Sequence, residues 1–404
     1  MTITPSTTCC WKSRPRALST SYKSTGRKQL TQQYLNDGMD AAASCTTTRT
    51  KHATGVPSRD DNFLRTCQWN IHYLVPNYDD GSSRIEHAHR VADTLLEADA
   101  DVVILNEFGT SDGMRRSWIQ RYDKPLHVLC TRLEDSGYTI YSKGLVTFPT
   151  VVVTRLPVKM SREYLLDYER SVVHVQVEWR MQRKQQRPTK MTNQNCKQQL
   201  HVDSSDADDS CNDGMWNSDS SEASSQTTAH VDVDVDVFGI HLDYRDCDGG
   251  VNRFIETKKL MQIVNSSTCT ASSRSDLGYE SNVVISGDFN QQRECDYSTN
   301  EWKWICENKA TRRSPQNDGV SGLLKKHGFK CNFDGVEDLV DCNWNREDPP
   351  PATHWTSTVI DYAYSRGRTL NLKKLFVSPS NLSDHRLVVC DWGCNEESSA
   401  NRGM

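Results

Sequence analysis

The stretch Val283-Val284-Ile285-Ser286-Gly287-Asp288-Phe289-Asn290 runs an apolar segment into a turn that carries a carboxylate and an amide. A short run of mostly β-branched residues closed by glycine reads as a buried strand. Beyond it Asp288 and Asn290 stand at i and i+2, so both fall on one face of the sheet rim, because alternate residues of an extended chain point the same way. A second run nearby closes on Ser383-Asp384-His385. These two places locate the chemistry.

Four more segments repeat the pattern of an apolar run that releases a polar side chain. They are Gln68-Trp69-Asn70-Ile71-His72, Val102-Val103-Ile104-Leu105-Asn106-Glu107, Phe238-Gly239-Ile240-His241-Leu242-Asp243 and Val359-Ile360-Asp361-Tyr362. In this order the set resembles the endonuclease/exonuclease/phosphatase family of deoxyribonuclease I-like metallohydrolases. The resemblance runs from about Asn62 to Trp392. It takes in a helix-like Arg84 to Ala98, a strand-like Thr150 to Val158 and the segment Arg253 to Leu260. A lone Gly-Asp-Phe-Asn would be weak, since Asp-x-Asn is common turn chemistry. Six elements in family order are specific.

The resemblance implies a four-layer α/β/β/α sandwich, two packed mixed sheets flanked by helices. It implies a Mg²⁺-dependent hydrolase of phosphate esters, with Mn²⁺ as a substitute. A phosphodiester repels its nucleophile and must release a charged oxygen, so its hydrolysis needs a hard cation, an aligned water and a proton source. Carried over residue by residue, Glu107 is the principal metal ligand, with Asn70 and Asp384 completing or orienting the shell. Asp288 and Asn290 hold and activate water. His385 contacts a phosphate oxygen while Asp361 fixes its tautomer. His241 stabilises phosphoryl charge or protonates the leaving group. Whether Asp288 or His385 is the general base stays open.

Two departures stand out. His72 replaces the Asp of the abasic-site endonucleases, and Asn106 replaces the Gln common before the metal Glu, one methylene shorter, which can shift a hydrogen bond behind the metal.

Composition sets the rest. A chain of 404 residues with only 36% hydrophobic residues carries substantial unpacked sequence around one core. Residues 1–61 are Ser/Thr-rich and place Lys12, Arg14, Arg16, Lys23, Arg27 and Lys28 before the first acid, Asp37. They read as a disordered basic tail or a targeting segment for an organelle. Residues 62–395 form the catalytic domain, interrupted at about 181–230 by a charged insertion, and 396–404 a short tail. The insertion is basic first (Arg180, Arg183, Lys184, Arg187, Lys190, Lys197) and acidic afterwards (Asp203, Asp206, Asp208, Asp209, Asp213, Asp219, Glu222), so it reads as a disordered loop in place of a hairpin turn. Behind it Val231 to Val237 alternates Val and Asp, which predicts a strand with a solvated acidic face.

Fifteen Cys with no C-x-x-C pair and no secretory signal read as reduced thiols, and no segment is apolar enough to span a membrane. The expected location is the nucleus or cytoplasm. Trp302 and Trp304 read as a packed helix face or a loop anchor, with base stacking as the alternative. A net charge of −5 gives no general attraction to nucleic acid, so backbone contacts would come from a local patch. Nucleic acid or a nucleic-acid adduct is the favoured substrate; phospholipid head groups or small phosphate esters are the alternative, and an inactive scaffold on the same fold a third reading.

Overall fold

The computed structural model describes residues 56–76, 82–109, 124–142, 146, 148–167, 169–183, 229–245, 250–272, 281–308, 319–335, 339, 341–345 and 348–394. The N-terminal segment before residue 56, most of the charged insertion and the C-terminal tail lie outside them. Residues 56–61 belong to the packed chain: Val56 is buried and Arg59 pairs with Asp101 at 2.9 Å.

Seven strands form one mixed sheet, in the order β10 (Asp341–Cys342), β12 (Leu370–Val377), β13 (Val388–Cys394), β1 (Leu64–Asn70), β2 (Val102–Asn106), β4 (Thr150–Thr154) and β3 (Thr139–Tyr141). Six form the other, in the order β5 (Val158–Leu165), β6 (Ser171–Arg183), β7 (Ala229–His241), β8 (Asn282–Asp288), β11 (Asp361–Arg366) and β9 (Lys330–Cys331). β1 runs parallel to β2, β10 to β12 and β7 to β8; the other pairs are antiparallel. β1, β2, β4 and β8 are buried along their whole length; in β2, β4 and β8 this shows as a continuous apolar run, whereas β1 buries Arg65, Thr66 and Gln68 between its apolar residues.

Alternation along β2 divides the interior in two. Val102 and Ile104 join the core between the sheets, with Val175, Val237 and Val284 of the second sheet. Val103 and Leu105 join a separate core with α1 (Arg84–Ala98) and α2 (Lys124–Asp135), through Val91, Leu95, Leu129 and Leu133. The outer side of the second sheet is covered by α3 (Val251–Ser272) and α5 (Val320–Lys326), with α4 (Thr299–Asn308) between them in the chain. The result is the four-layer α/β/β/α sandwich. α1 starts where the sequence says it should: Ser83 and Glu86 cap each other reciprocally, and Asp99 ends the helix in a left-handed conformation at φ 49°.

Two glycines allow close approaches that place the site. A Cβ on Gly239 of β7 would lie 3.0 to 3.1 Å from Val152, Ile104 and Thr150, so its absence lets the two sheets meet there. A Cβ on Gly287, at φ 149°, would lie 2.0 Å from the Ile240 carbonyl oxygen of the neighbouring strand.

The Val/Asp alternation does form a strand, and its acidic face is divided. Asp232 and Asp234 are half-exposed and pair with Arg180 and Lys159. Asp236 is buried against His174 at 2.8 Å instead of solvated, because Tyr164 lies over His174 and reaches α3 through Ser267, so this end of the face is covered. β6 and β7 run to Arg183 and from Ala229, so their ladder extends slightly into the expected insertion. Trp302 is buried against Tyr297 while Trp304, on the same helix, is exposed.

Candidate active site

Register brings the strand ends together. Asn70 pairs with Asn106 as the last residues of β1 and β2; His241 pairs with Asp288 as the last of β7 and β8; Asp288 also pairs with Asp361, the first of β11. Five polar residues from two sheets thus meet at one rim.

Hydrogen bonds stitch the sheets across it. The Asn70 amide donates to Glu107 Oε1 at 3.3 Å and to Asp288 Oδ2 at 3.1 Å. Asn106 accepts from the Asp288 backbone N–H at 3.0 Å and donates to the Ile240 carbonyl at 2.7 Å and Thr150 Oγ1 at 3.0 Å. The shorter amide at this position therefore works as a clamp between the sheets. Glu107 follows the end of β2 in a left-handed conformation, φ 52°, and the Asn290 N–H closes a turn onto Asp288 Oδ1 at 2.8 Å while its side chain donates to the Leu242 carbonyl at 3.0 Å.

Asp288 Oδ2 is the hub. Besides Asn70, it has His241 Nε2 at 3.6 Å and His385 Nε2 at 3.7 Å. The other ring nitrogen of His385 meets Asp361 Oδ2 at 2.9 Å. All eight residues read from the sequence, Asn70, Glu107, His241, Asp288, Asn290, Asp361, Asp384 and His385, lie in this rim. Asp384 is the most open of the acids, with His354 Nε2 at 3.8 Å and His72 Nδ1 at 3.9 Å.

His354 is the member that sequence reasoning missed. It sits in a short turn, Thr353 to Thr358, whose backbone bridges to His385, and its ring lies edge-on to His385 at 4.6 Å. No apolar run precedes it, so strand-end patterning could not find it; a His-Trp pair between Thr353 and Thr356, just ahead of Ile-Asp-Tyr, was the only signal. The neighbouring Trp355 is 65% exposed, and its backbone N–H donates to the Asp384 carbonyl at 2.7 Å. On the other side of the rim Phe148 packs edge-on against both His241 and Tyr244, the latter exposed.

Burial and crowding set the charges. Burial, then the Asp361 charge, pushes the Asp288 carboxyl up to about 7 against the pull of His385. Burial opposes protonation of His385, but Asp361 and Asp288 outweigh it and raise the imidazole to about 10. Burial raises Glu107, and the Asp384 charge adds to this. Asp384 itself, though burial works against its charge, is held well below the usual carboxylate range by His354, His385 and His72.

The donor set fits a hard divalent cation. Glu107, Asp288, Asp361 and Asp384 crowd one rim, and Glu107 and Asp384 press on each other, a repulsion that a bound cation relieves. Among the described residues, two groups have ligand atoms within 4.8 Å of one another: Asp288, Asp361 and His385, and His354, Asp384 and His385.

No family model matches the chain, and no curated protein matches it in sequence. Solved structures do. The catalytic domain of human Nocturnin with bound sulfate is similar over 83% of this chain and 95% of its own, at 15% identity and a TM-score of 0.48. Truncated TDP2 from Caenorhabditis elegans is similar over 82% and 98%, at 14% identity and 0.45. An endonuclease/exonuclease/phosphatase protein from Beutenbergia cavernae is similar over 83% and 72%, at 17% identity and 0.44. The solved structural neighbours of this chain are thus spread across the endonuclease/exonuclease/phosphatase superfamily, the family that its strand-end motifs resemble.

Proposed function

We propose that the chain is a Mg²⁺-dependent phosphodiesterase acting on nucleic acid or a nucleic-acid adduct. The observation that carries this reading is the convergence on Asp288. A buried carboxylate pushed up to about 7 stands between two imidazoles, and one of these is braced by a second carboxylate at 2.9 Å.

Asp288 with a pKa near neutrality suits a group that takes the proton of an attacking water. Asn290 holds Asp288 in place through its backbone N–H. His385, charged at neutral pH and oriented by Asp361, faces a phosphoryl oxygen with Nε2. His241, on the other side of Asp288, is placed to stabilise the phosphoryl group or to protonate the leaving oxygen. Glu107, Asn70 and Asp384 would hold the cation, which when bound neutralises phosphate charge and orients the nucleophile. The exposed rings of Trp355 and Tyr244 beside the site support a substrate with planar bases over an inositol phosphate or a lipid head group, because every base offers a π-face.

The test is purified protein with Mg²⁺ against abasic duplex, 5′-tyrosyl oligonucleotide, poly(A), sphingomyelin and inositol phosphates. Turnover should appear on a nucleic-acid substrate and vanish in Glu107→Gln, which removes a charge and keeps the shape, with the melting temperature nearly unchanged. Full activity in that variant would end the metal assignment, and preference for sphingomyelin or inositol phosphates the substrate assignment.

A further inference from the structure

Directly after Asn70 the backbone does something costly. His72, Tyr73 and Leu74 are three successive non-glycine residues at positive φ, 44°, 55° and 55°. L-residues visit this left-handed region singly and at a cost, because Cβ crowds the carbonyl oxygen. The surroundings hold the turn in place. The His72 N–H donates to Asn70 Oδ1 at 3.1 Å and the Tyr73 N–H to the Glu107 carbonyl at 3.1 Å, so the turn hangs on two of the residues assigned to the cation. Arg84 closes it from the helix side, donating to the Tyr73 carbonyl at 3.0 Å and the Leu74 carbonyl at 3.4 Å.

This arrangement delivers the Tyr73 side chain. Tyr73 is only 8% exposed, its ring lies against Gly109, and its hydroxyl has no hydrogen-bond partner among the described residues. Burial raises its pKa, and the charges that reach it next are those of Glu107, Arg170 and Tyr244. The backbone bond to the Glu107 carbonyl and the ring contact at Gly109 set this side chain beside the Glu107 end of the rim. A buried phenol without a partner is costly, whereas a phenylalanine would fill the same space without that loss. Strain and an unmet donor coincide beside the site, and both make sense if the partner arrives with the substrate.

We propose that the Tyr73 hydroxyl donates a hydrogen bond to a phosphoryl oxygen of the bound substrate, making Tyr73 a further substrate-contacting residue of this site. The inference rests on the phosphoesterase reading above, and its test is built to separate the two. Calorimetry in Mg²⁺ buffer compares the affinity of wild type and Tyr73→Phe for inorganic phosphate, alongside melting temperature and turnover of the best ester. The variant should bind phosphate about tenfold more weakly, as expected for a lost hydrogen bond to a charged acceptor. Its kcat should fall by at least a similar factor, while its melting temperature stays level or rises because the unmet hydroxyl is gone. Equal phosphate affinity in the two proteins, or no phosphate binding by wild type, overturns the proposal. Tyr73-dependent phosphate binding in a protein that turns over no ester would support the contact and bring down the catalytic reading alone.

Discussion

Two buried carboxylate–imidazole pairs occur among the described residues with nearly the same geometry, Asp361 with His385 at 2.9 Å and Asp236 with His174 at 2.8 Å. The first sits at a strand end. Asp288 stands 3.7 Å from its ring, His354 lies edge-on at 4.6 Å, and Asp384 is the next residue. The second sits within the β6/β7 ladder, stacked on Phe238 at 4.1 Å and covered by Tyr164. A held imidazole alone therefore does not mark the candidate site. What separates the pairs is their company: surplus carboxylates at a rim in one case, aromatic rings within a ladder in the other.

The sharpest way to break that contrast is to disable each pair in turn. Asp361→Asn and His385→Ala should each lower the rate by about 10²- to 10⁴-fold, the range for a lost acid–base or orienting group. The double variant should be little worse than the worse single, since groups acting as a unit are non-additive. His174→Ala should leave the rate alone and instead cost about 2–4 kcal/mol of stability, because it opens a cavity against Phe238 and strands Asp236 in the interior. Denaturant unfolding and steady-state kinetics on the same preparations check both. A His174→Ala rate loss matching that of His385→Ala, well below its melting point, would erase the distinction; multiplicative losses for Asp361 and His385 would dissolve the pair.

The two pairs also differ in how well the sequence announced them. Asp361, His385, Asp288 and Glu107 were legible because each ends or begins a buried run, and burial on both faces leaves a signature of successive β-branched residues. The two-sheet sandwich followed from the order of those runs. His354 and Tyr73 were not legible. One reaches the site through a bridge to a distant strand, the other through a left-handed turn of residues that local propensity disfavours. The inward turn of Asp236 was hidden for a related reason: the alternation fixes which residues share a face, and only the covering Tyr164 and α3 decide which part of that face is dry.

A third buried acid sharpens the comparison at smaller amplitude. Glu256 on α3 accepts the Asp243 N–H at 2.8 Å, its other oxygen has no hydrogen-bond partner among the described residues, and burial pushes it up to about 8 from 4.5. Between those pH values the folded protein keeps a proton that the unfolded chain has released, so stability falls as pH rises through that window. Glu256→Gln should flatten the slope. It should gain on the order of 2 kcal/mol over wild type at pH 9 and nothing near pH 4. Parallel pH–stability curves for the two proteins would mean that Glu256 ionises in the fold as freely as in the unfolded chain. Asp288 has a similarly raised carboxyl, but its removal should show in the rate, which again sets rim against interior.

The smallest effect is expected at the far end of the same hairpin. Arg183 and Ala229 face each other across the β6/β7 ladder, so the chain enters and leaves residues 184–228 at adjacent points. An Asn-Gly pair there supplies the left-handed turn that closes two antiparallel strands. β7 has 13 residues between this point and His241. At about 3.3 Å per residue the replacement lies roughly 40 Å along the strand from the rim. Replacing residues 184–228 by Asn-Gly should therefore change stability by less than about 1 kcal/mol, since loop length enters closure entropy only logarithmically. It should leave kcat unchanged. A raised KM with an unchanged melting temperature would give the basic half of the insertion a part in holding the substrate, and the site would then extend beyond its rim. Failure to fold would mean that residues 184–228 contribute packing to the hairpin that carries both His174 and His241, so that interior pair and catalytic rim would no longer be separable along β7.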